Sequence, residues 1–265
     1  MTGTADLEGW FRARGRVLLG YSGGIDSTLL AVVGTRTLGP VGFLAVIGRS
    51  GSYPEAQWRD AIGQAAQHGV PVEEVDTDEL ADPSYRANAP DRCYFCKREL
   101  WAKLGAIAVT RGFDTVIDGT HADDLMGHRP GAKAGLESGI RSPLAELGWT
   151  KAKVREAALE LRIEGWDAPS SPCLSSRIQY GLEVTPDRLG QVERAESLLR
   201  ALGIRGDLRV RHHGPLARIE VDRAMFPLLD GAWPDIVAGI QALGFQTVER
   251  DPVGYRRGSL LPLAS

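Results

Sequence analysis

The chain has 265 residues, enough for one large domain or for one domain with a small appendage. Its 43% hydrophobic and 25% charged residues are ordinary for a globular protein, and a net charge of −3 excludes a broadly basic surface for nucleic acid. No stretch has the length of a transmembrane helix and residues 1–15 lack a signal-peptide core, so a cytoplasmic location is expected, with cysteines that are reduced thiols or metal ligands.

Apolar Val17–Leu19 predicts a short buried strand, and Ile25–Val33 predicts the start of an apolar helix. Gly20, Ser22, Gly23 and Gly24 lie where the strand must turn into the helix. Glycines there let the backbone approach an anion, and a helix N-terminus offers unbonded N–H groups and the positive end of the dipole. The hydroxyls of Ser22 and Ser27 can donate to the same phosphate. Asp26 is the odd member. A carboxylate beside phosphates is repelled unless a cation intervenes, which makes Asp26 a candidate Mg2+ ligand. No Gly-Lys-Ser/Thr follows the glycines, so this is not a Walker A loop.

Val41–Ile47 predicts a second strand, Glu55–His68 a helix and Pro71–Val75 a third strand. Asp76–Asp91 reads as a long loop, and Cys96–Arg111 as a helix with the stripe Leu100, Leu104, Ile107 and Ala108. Phe113–Ile117 is a fourth strand ending at Asp118-Gly119-Thr120. This alternation predicts an α/β fold with a doubly wound parallel sheet, which binds ligands beyond the carboxyl ends of its strands. A helix over Lys151–Leu161 and a loop to Gly181 follow, then a helix opened by Thr185-Pro186 and running to Leu202. Strands at Leu208–His212 and Ala217–Val221, a helix over Phe226–Leu243 and a strand at Phe245–Val248 make a small α+β domain. The predicted division is 1–181 and 182–265.

Cys93-Tyr94-Phe95-Cys96 begins a helix, where thiolates gain from the dipole and from Lys97 and Arg98. Half a zinc site, a redox pair and two core cysteines all fit such a pair. Cys173 lies among small polar residues from Ser170 to Arg177, not in an apolar periodic segment where a core cysteine belongs. Three thiolates suit a [4Fe–4S] cluster with one open iron; zinc would take a fourth ligand from His121, His128 or His212. Asp123-Asp124 offers a further Mg2+ ligand or a solvated turn. Arg209 and Arg211 alternate on a strand and share a face, suited to reading a phosphate bidentately or to forming an exposed charged face.

Residues Ser22 to Ser27, between strand and helix, resemble the PP-loop of the ATP pyrophosphatase superfamily, whose members cleave ATP to AMP and pyrophosphate. Further motifs follow in order: Arg92 to Lys97, Asp118 to Asp124, Arg129-Pro130-Gly131, Arg141 to Leu144, Cys173 to Ile178 and Arg209 to Gly214. Together they resemble the LarE family of ATP-dependent sulfur transferases, from the PP-loop to about Val221, and residues 254–259 are also similar. The resemblance implies adenylation of a carboxylate on a pyridinium biscarboxylic acid mononucleotide, followed by replacement of AMP with sulfur, in biosynthesis of the nickel-pincer cofactor of lactate racemase. In one version Cys173 gives up its own sulfur. In another, Cys93, Cys96 and Cys173 hold a [4Fe–4S] cluster, and the three cysteines here resemble that version.

By the same resemblance the catalytic residues are Cys173, Asp26, Arg177 and Glu220. ATP and substrate fall to Gly20, Ser22, Gly23, Gly24, Asp26, Ser27, Gly119, Arg209 and Arg211, and Mg2+ to Asp26 and Asp123. A small nucleotide substrate and a homo-oligomer are expected, without membrane or nucleic acid. PP-loop enzymes that thiolate transfer RNA are a rival, opposed by the pI near 6.0 and the absence of further Cys-x-x-Cys modules. A passive nucleotide-binding metal sensor is another, opposed by Asp26.

Overall fold

Strand and helix periodicities alternate along the first part of the chain, and each becomes an element. The computed structural model describes residues 3–126, 130–167, 172–256 and 260. Helix α1 (Ala5–Arg12) precedes β1 (Val17–Gly20), α2 (Ile25–Gly42), β2 (Phe43–Arg49), α3 (Glu55–Gln67) and β3 (Val72–Asp76). Then come α4 (Pro83–Arg86), α5 (Arg92–Arg111), β4 (Thr115–Ile117), α6 (Pro130–Glu137), α7 (Pro143–Glu146) and α8 (Lys151–Glu160). The remainder is α9 (Pro186–Ala201), β5 (Leu208–His213), β6 (Leu216–Val221), α10 (Phe226–Gly231), α11 (Trp233–Ala242) and β7 (Thr247–Arg250). The chain divides into two compact units, Met1–Glu79 with Asp91–Ser171, and Leu80–Pro90 with Pro172–Ser265. Gly181, the predicted boundary, falls inside the second unit.

In the first unit β1 to β4 form a parallel sheet in the order β3-β2-β1-β4, the doubly wound α/β arrangement read from the sequence. Val17, Leu19, Phe43, Ala45 and Ile47 join one core with Leu29 of α2 and Val154 of α8. Leu18, Leu44 and Val46 join another with Trp101 and Leu104 of α5. Successive side chains of a strand point to opposite faces, so these apolar strands are covered on both. β1 and β4 are neighbours, and β1 leads on to β2 on its other side. The switch point of the sheet therefore lies between the carboxyl ends of β1 and β4, from which Tyr21–Gly24 and Asp118–Thr120 depart.

β2 begins at Phe43 rather than at Val41. Gly39 (φ 69°, ψ 173°) kinks α2 ahead of Pro40, and residues 41 and 42 belong to the last turn of that helix. The expected loop over residues 76–91 contains a 3₁₀ turn, Glu79–Ala81, and α4.

In the second unit β5 and β6 are antiparallel and β7 joins β6 in parallel. Leu208, Val210, Ile219 and Val221 pack with Leu199 of α9 and with Ile236 and Ile240 of α11. Thr185 caps α9, its side chain accepting from the Arg188 N–H. The helix expected over residues 226–243 is two, because Pro227 and Pro234 each open a new first turn. Among the described residues no helix is long and apolar enough to cross a membrane.

Candidate active site

The turn after β1 is built for close approach. Gly23 has φ 69°, and a Cβ there would lie 2.5 Å from the Ala61 Cβ, so both its backbone and its surroundings require glycine. At Gly20 an added Cβ would lie 2.7 Å from the Trp101 ring. Gly24 is the N-cap of α2. Ser27 Oγ donates to the Gly24 carbonyl (2.9 Å), accepts from the Ser22 N–H (3.3 Å) and lies 3.2 Å from Ser22 Oγ. Tyr53 Oη and Gln57 Nε2 of the neighbouring segment each donate to the Ser22 carbonyl at 2.9 Å, holding the loop from behind. The hydroxyls thus gather at the N-terminus of an 18-residue helix, where an anion is stabilised.

The end of β4 packs against this helix start. A Cβ on Gly119 would lie 3.1 Å from the Ser27 nitrogen and 3.3 Å from the Asp26 Cβ. Asp118 is held by the Thr120 N–H (3.0 Å), Thr120 Oγ1 (2.8 Å) and Ser142 Oγ (2.7 Å). Lys151, the first residue of α8, places Nζ 2.7 and 2.6 Å from the two carboxylate oxygens of Asp26. Its backbone N–H donates to Asp123 Oδ2 at 2.7 Å. Asp26 and Asp123 are thereby brought to one lysine, which sequence reasoning passed over. One signal was available: the dipole disfavours a cation in a helix's first turn, and α8 has Lys151 and Lys153 there with no acidic residue. Mg2+ is usually held by one or two carboxylates together with substrate phosphates and water, and Asp26, beside the loop N–H groups, fits that donor set.

Cys93 and Cys96 are the second and fifth residues of α5, three apart and so on neighbouring positions of one face; Cys93 is exposed and Cys96 half-buried. Half-buried Cys173 precedes the 3₁₀ turn Leu174–Arg177 in the second unit. The expected three-thiolate set is divided between the two units, and among the described residues no three His, Cys, Asp or Glu side chains form a metal-holding group. His121 is buried, with Nε2 3.5 Å from Asp124 Oδ1 and Nδ1 3.8 Å from Asp123 Oδ2. His212 is not available as a zinc ligand: Nδ1 accepts from the Gly214 N–H (3.2 Å) and Nε2 is 2.9 Å from Gln191 Oε1. His128, Arg129, Ser170, Ser171 and residues 257–259 lie outside the described residues.

The second unit builds a cluster around the Cys173 loop. Buried Arg177 grips Glu196 with Nε and Nη2 (3.0 and 3.1 Å) and donates through Nη1 to the carbonyls of Pro172 and Cys173 and to Ser176 Oγ. Glu196 also accepts from the Val210 N–H at 3.0 Å, tying the loop to β5. Arg209 and Arg211 do share one face of β5, and both are buried. Arg211 Nε and Nη2 meet Glu220 Oε2 at 2.9 and 2.8 Å, and its Nη1 donates to the Ser176 carbonyl at 3.1 Å. The Arg209 guanidinium lies 5.1 Å from the centre of the Tyr255 ring. Burial, followed by the charge of Arg177, holds Arg209 below the ordinary arginine range. These five side chains carry one more positive than negative charge, an environment for an anion. The sequence did not indicate Glu196, nor the supports from residues 80–90. Tyr85 Oη lies 2.6 Å from Ser175 Oγ, and the Asn88 amide donates to the carbonyls of Gln179 and Leu182, both at 2.9 Å.

A glycine-rich, hydroxyl-bearing turn at the switch point of a doubly wound sheet, with a carboxylate at the helix start, defines an enzyme of the PP-loop ATP pyrophosphatase class. Residues 11–106 match the NAD synthase family model. The chain is 42% identical over 257 residues to an uncharacterized protein of Synechocystis sp., covering 96% of this chain and 95% of that one. It is 36% identical over 245 residues to the pyridinium-3,5-bisthiocarboxylic acid mononucleotide synthase of Lactiplantibacillus plantarum, covering 92% of this chain and 88% of the synthase. With an uncharacterized protein of Methanocaldococcus jannaschii it shares 29% identity over 233 residues, 88% of each chain. The chain belongs to the PP-loop superfamily and, within it, to the LarE-type family of ATP-dependent sulfur-transferring enzymes in which the Lactiplantibacillus synthase falls.

Proposed function

We propose that this enzyme adenylates a carboxylate of pyridinium biscarboxylic acid mononucleotide and replaces the AMP with sulfur, in biosynthesis of the nickel-pincer nucleotide of lactate racemase. The observation that carries the reading is the PP-loop beside Asp26 and Gly119, in a chain 36% identical to a synthase of the bisthiocarboxylic acid mononucleotide.

A carboxylate oxygen leaves poorly until it carries AMP. The substrate carboxylate attacks the α-phosphorus of ATP, the new P–O bond forms and pyrophosphate departs. Such a transfer asks for positioning and charge neutralisation more than covalent help. Ser22, Gly23, Gly24 and Ser27 receive the departing phosphates, with Gly20 and Gly119 as the close-packed walls. Asp26 would hold Mg2+, with Asp123, which fixes the Lys151 backbone N–H, as the further candidate ligand. Arg209 and Arg211 receive the phosphate of the mononucleotide, Glu220 orients Arg211, and Arg177 positions the Cys173 loop. The first unit then serves ATP, and the second serves substrate and self-association in a cytoplasmic homo-oligomer.

For the sulfur, the set Cys93, Cys96 and Cys173 supports a [4Fe–4S] cluster, which when bound would supply sulfide. The alternative for the same reaction is that Cys173 itself gives up its sulfur and becomes dehydroalanine. Anaerobic purification with iron and sulfide analysis, followed by mass measurement of the Cys173 peptide after one turnover, separates them. Bound iron, an unchanged peptide and activity lost on substituting Cys93 or Cys96 support the cluster. A peptide lighter by about 34 Da, the mass of hydrogen sulfide, in an iron-free protein establishes the sacrificial route. Pyrophosphate release with transfer RNA and not with the mononucleotide refutes the substrate.

A further inference from the structure

We propose that Lys151 is the built-in counter-ion of Asp26, exchanged for Mg2+ when nucleotide binds and passed on to the phosphates, so that the pair couples the uptake of nucleotide to that of metal. Lys151 Nζ contacts both carboxylate oxygens of Asp26, at 2.7 and 2.6 Å. A divalent cation on either oxygen would meet the repulsion of the ammonium at close range, so the two compete for the carboxylate. The metal site and the lysine site are the same carboxylate.

The lysine backbone is anchored by bonds separate from those of its head. The Lys151 N–H is fixed on Asp123, the Thr150 side chain accepts from the Lys153 N–H at 3.3 Å, and the Ala122 N–H donates to the Trp149 carbonyl at 2.8 Å. Asp6 of α1 secures the same segment, accepting from Trp149 Nε1 (2.9 Å) and Lys153 Nζ (2.8 Å). The Lys151 side chain is 30% exposed on a flexible four-carbon stem. A cation in the first turn of α8 opposes the helix dipole, so its placement needs a partner outside that helix. Asp26 supplies it in the structure. Asp26 also sits at the helix start where phosphates bind, so the lysine has a second anion within its swing.

The consequence is positive linkage: nucleotide draws Lys151 away and opens Asp26 to metal, and metal on Asp26 releases Lys151 to nucleotide. This rests on the nucleotide-binding reading of the PP-loop and not on the sulfur chemistry. The test uses Mn2+ alone, followed by its electron paramagnetic resonance, and a non-hydrolysable ATP analogue in chelator, followed by calorimetry, on wild type, Lys151→Met and Lys151→Arg. Lys151→Met is expected to bind Mn2+ alone roughly fivefold more tightly and the metal-free analogue roughly tenfold more weakly. Lys151→Arg, which keeps the charge, stays near wild type for Mn2+. A Met variant with wild-type melting and unchanged or weaker Mn2+ binding overturns the proposal, as does equal analogue binding by all three proteins. An analogue that binds none of them refutes the nucleotide reading instead. Should the Met variant not fold, wild type decides: Mn2+ affinity that does not rise with added pyrophosphate overturns the exchange.

Discussion

Glu220→Gln separates a counter-ion from a reacting carboxylate. Arg211 and Glu220 form a pair with side chains only 6% and 2% exposed, and two N–H groups converge on one carboxylate oxygen at 2.9 and 2.8 Å. Removing one partner of such a pair costs about 3–5 kcal/mol, because the other charge is left buried without compensation. The glutamine amide oxygen still accepts one bond, which reduces the loss to about 2–3 kcal/mol. For a unit of roughly 100 residues this lowers the melting midpoint by roughly 10–20 °C. Thermal and urea unfolding, followed by circular dichroism, measures it. The double variant Arg211→Met with Glu220→Leu should regain most of that stability, since a buried pair is replaceable by apolar groups of similar volume. It should not regain affinity for the substrate phosphate. A Glu220→Gln protein with wild-type melting and no activity would refute the reasoning and place the carboxylate in the chemistry.

Gly23→Ala combines a φ of 69° with a Cβ 2.5 Å from the Ala61 Cβ, a cost of about 2–4 kcal/mol, and is expected to abolish ATP binding; calorimetric binding at wild-type strength would contradict it. His212 is held at about 4, against an ordinary value of 6.5, by burial first and then by Arg188 and His213. Its Nδ1 accepts from the Gly214 N–H, so protonation breaks that bond. With the folded value below the unfolded one, stability is complete above about pH 6.5 and falls as pH drops toward 4, by up to about 3 kcal/mol. Unfolding midpoints from pH 7 to 4 should fall less steeply in His212→Asn, and parallel slopes in the two proteins would sink the assignment.

What the sequence determined by itself is local. The turn from β1 into α2, the cap at Thr185, the apolar runs of β1 and β2 and the helical spacing of Cys93 and Cys96 all rest on neighbours a few residues apart. Propensity, capping and period are therefore enough to read them. The kink at Gly39 and the break between α10 and α11 were written just as locally, in Gly-Pro and in paired prolines, but apolar composition obscured them. Only the tertiary structure joined Lys151 to Asp26 across 125 residues, brought Asn88 under the Cys173 loop, and made Glu196 the link between Arg177 and β5. The physical reason is the same each time. A charge or an amide gives no periodic signal of its partner, and buried polar groups find their partners only when packing excludes water and makes an unpaired group costly.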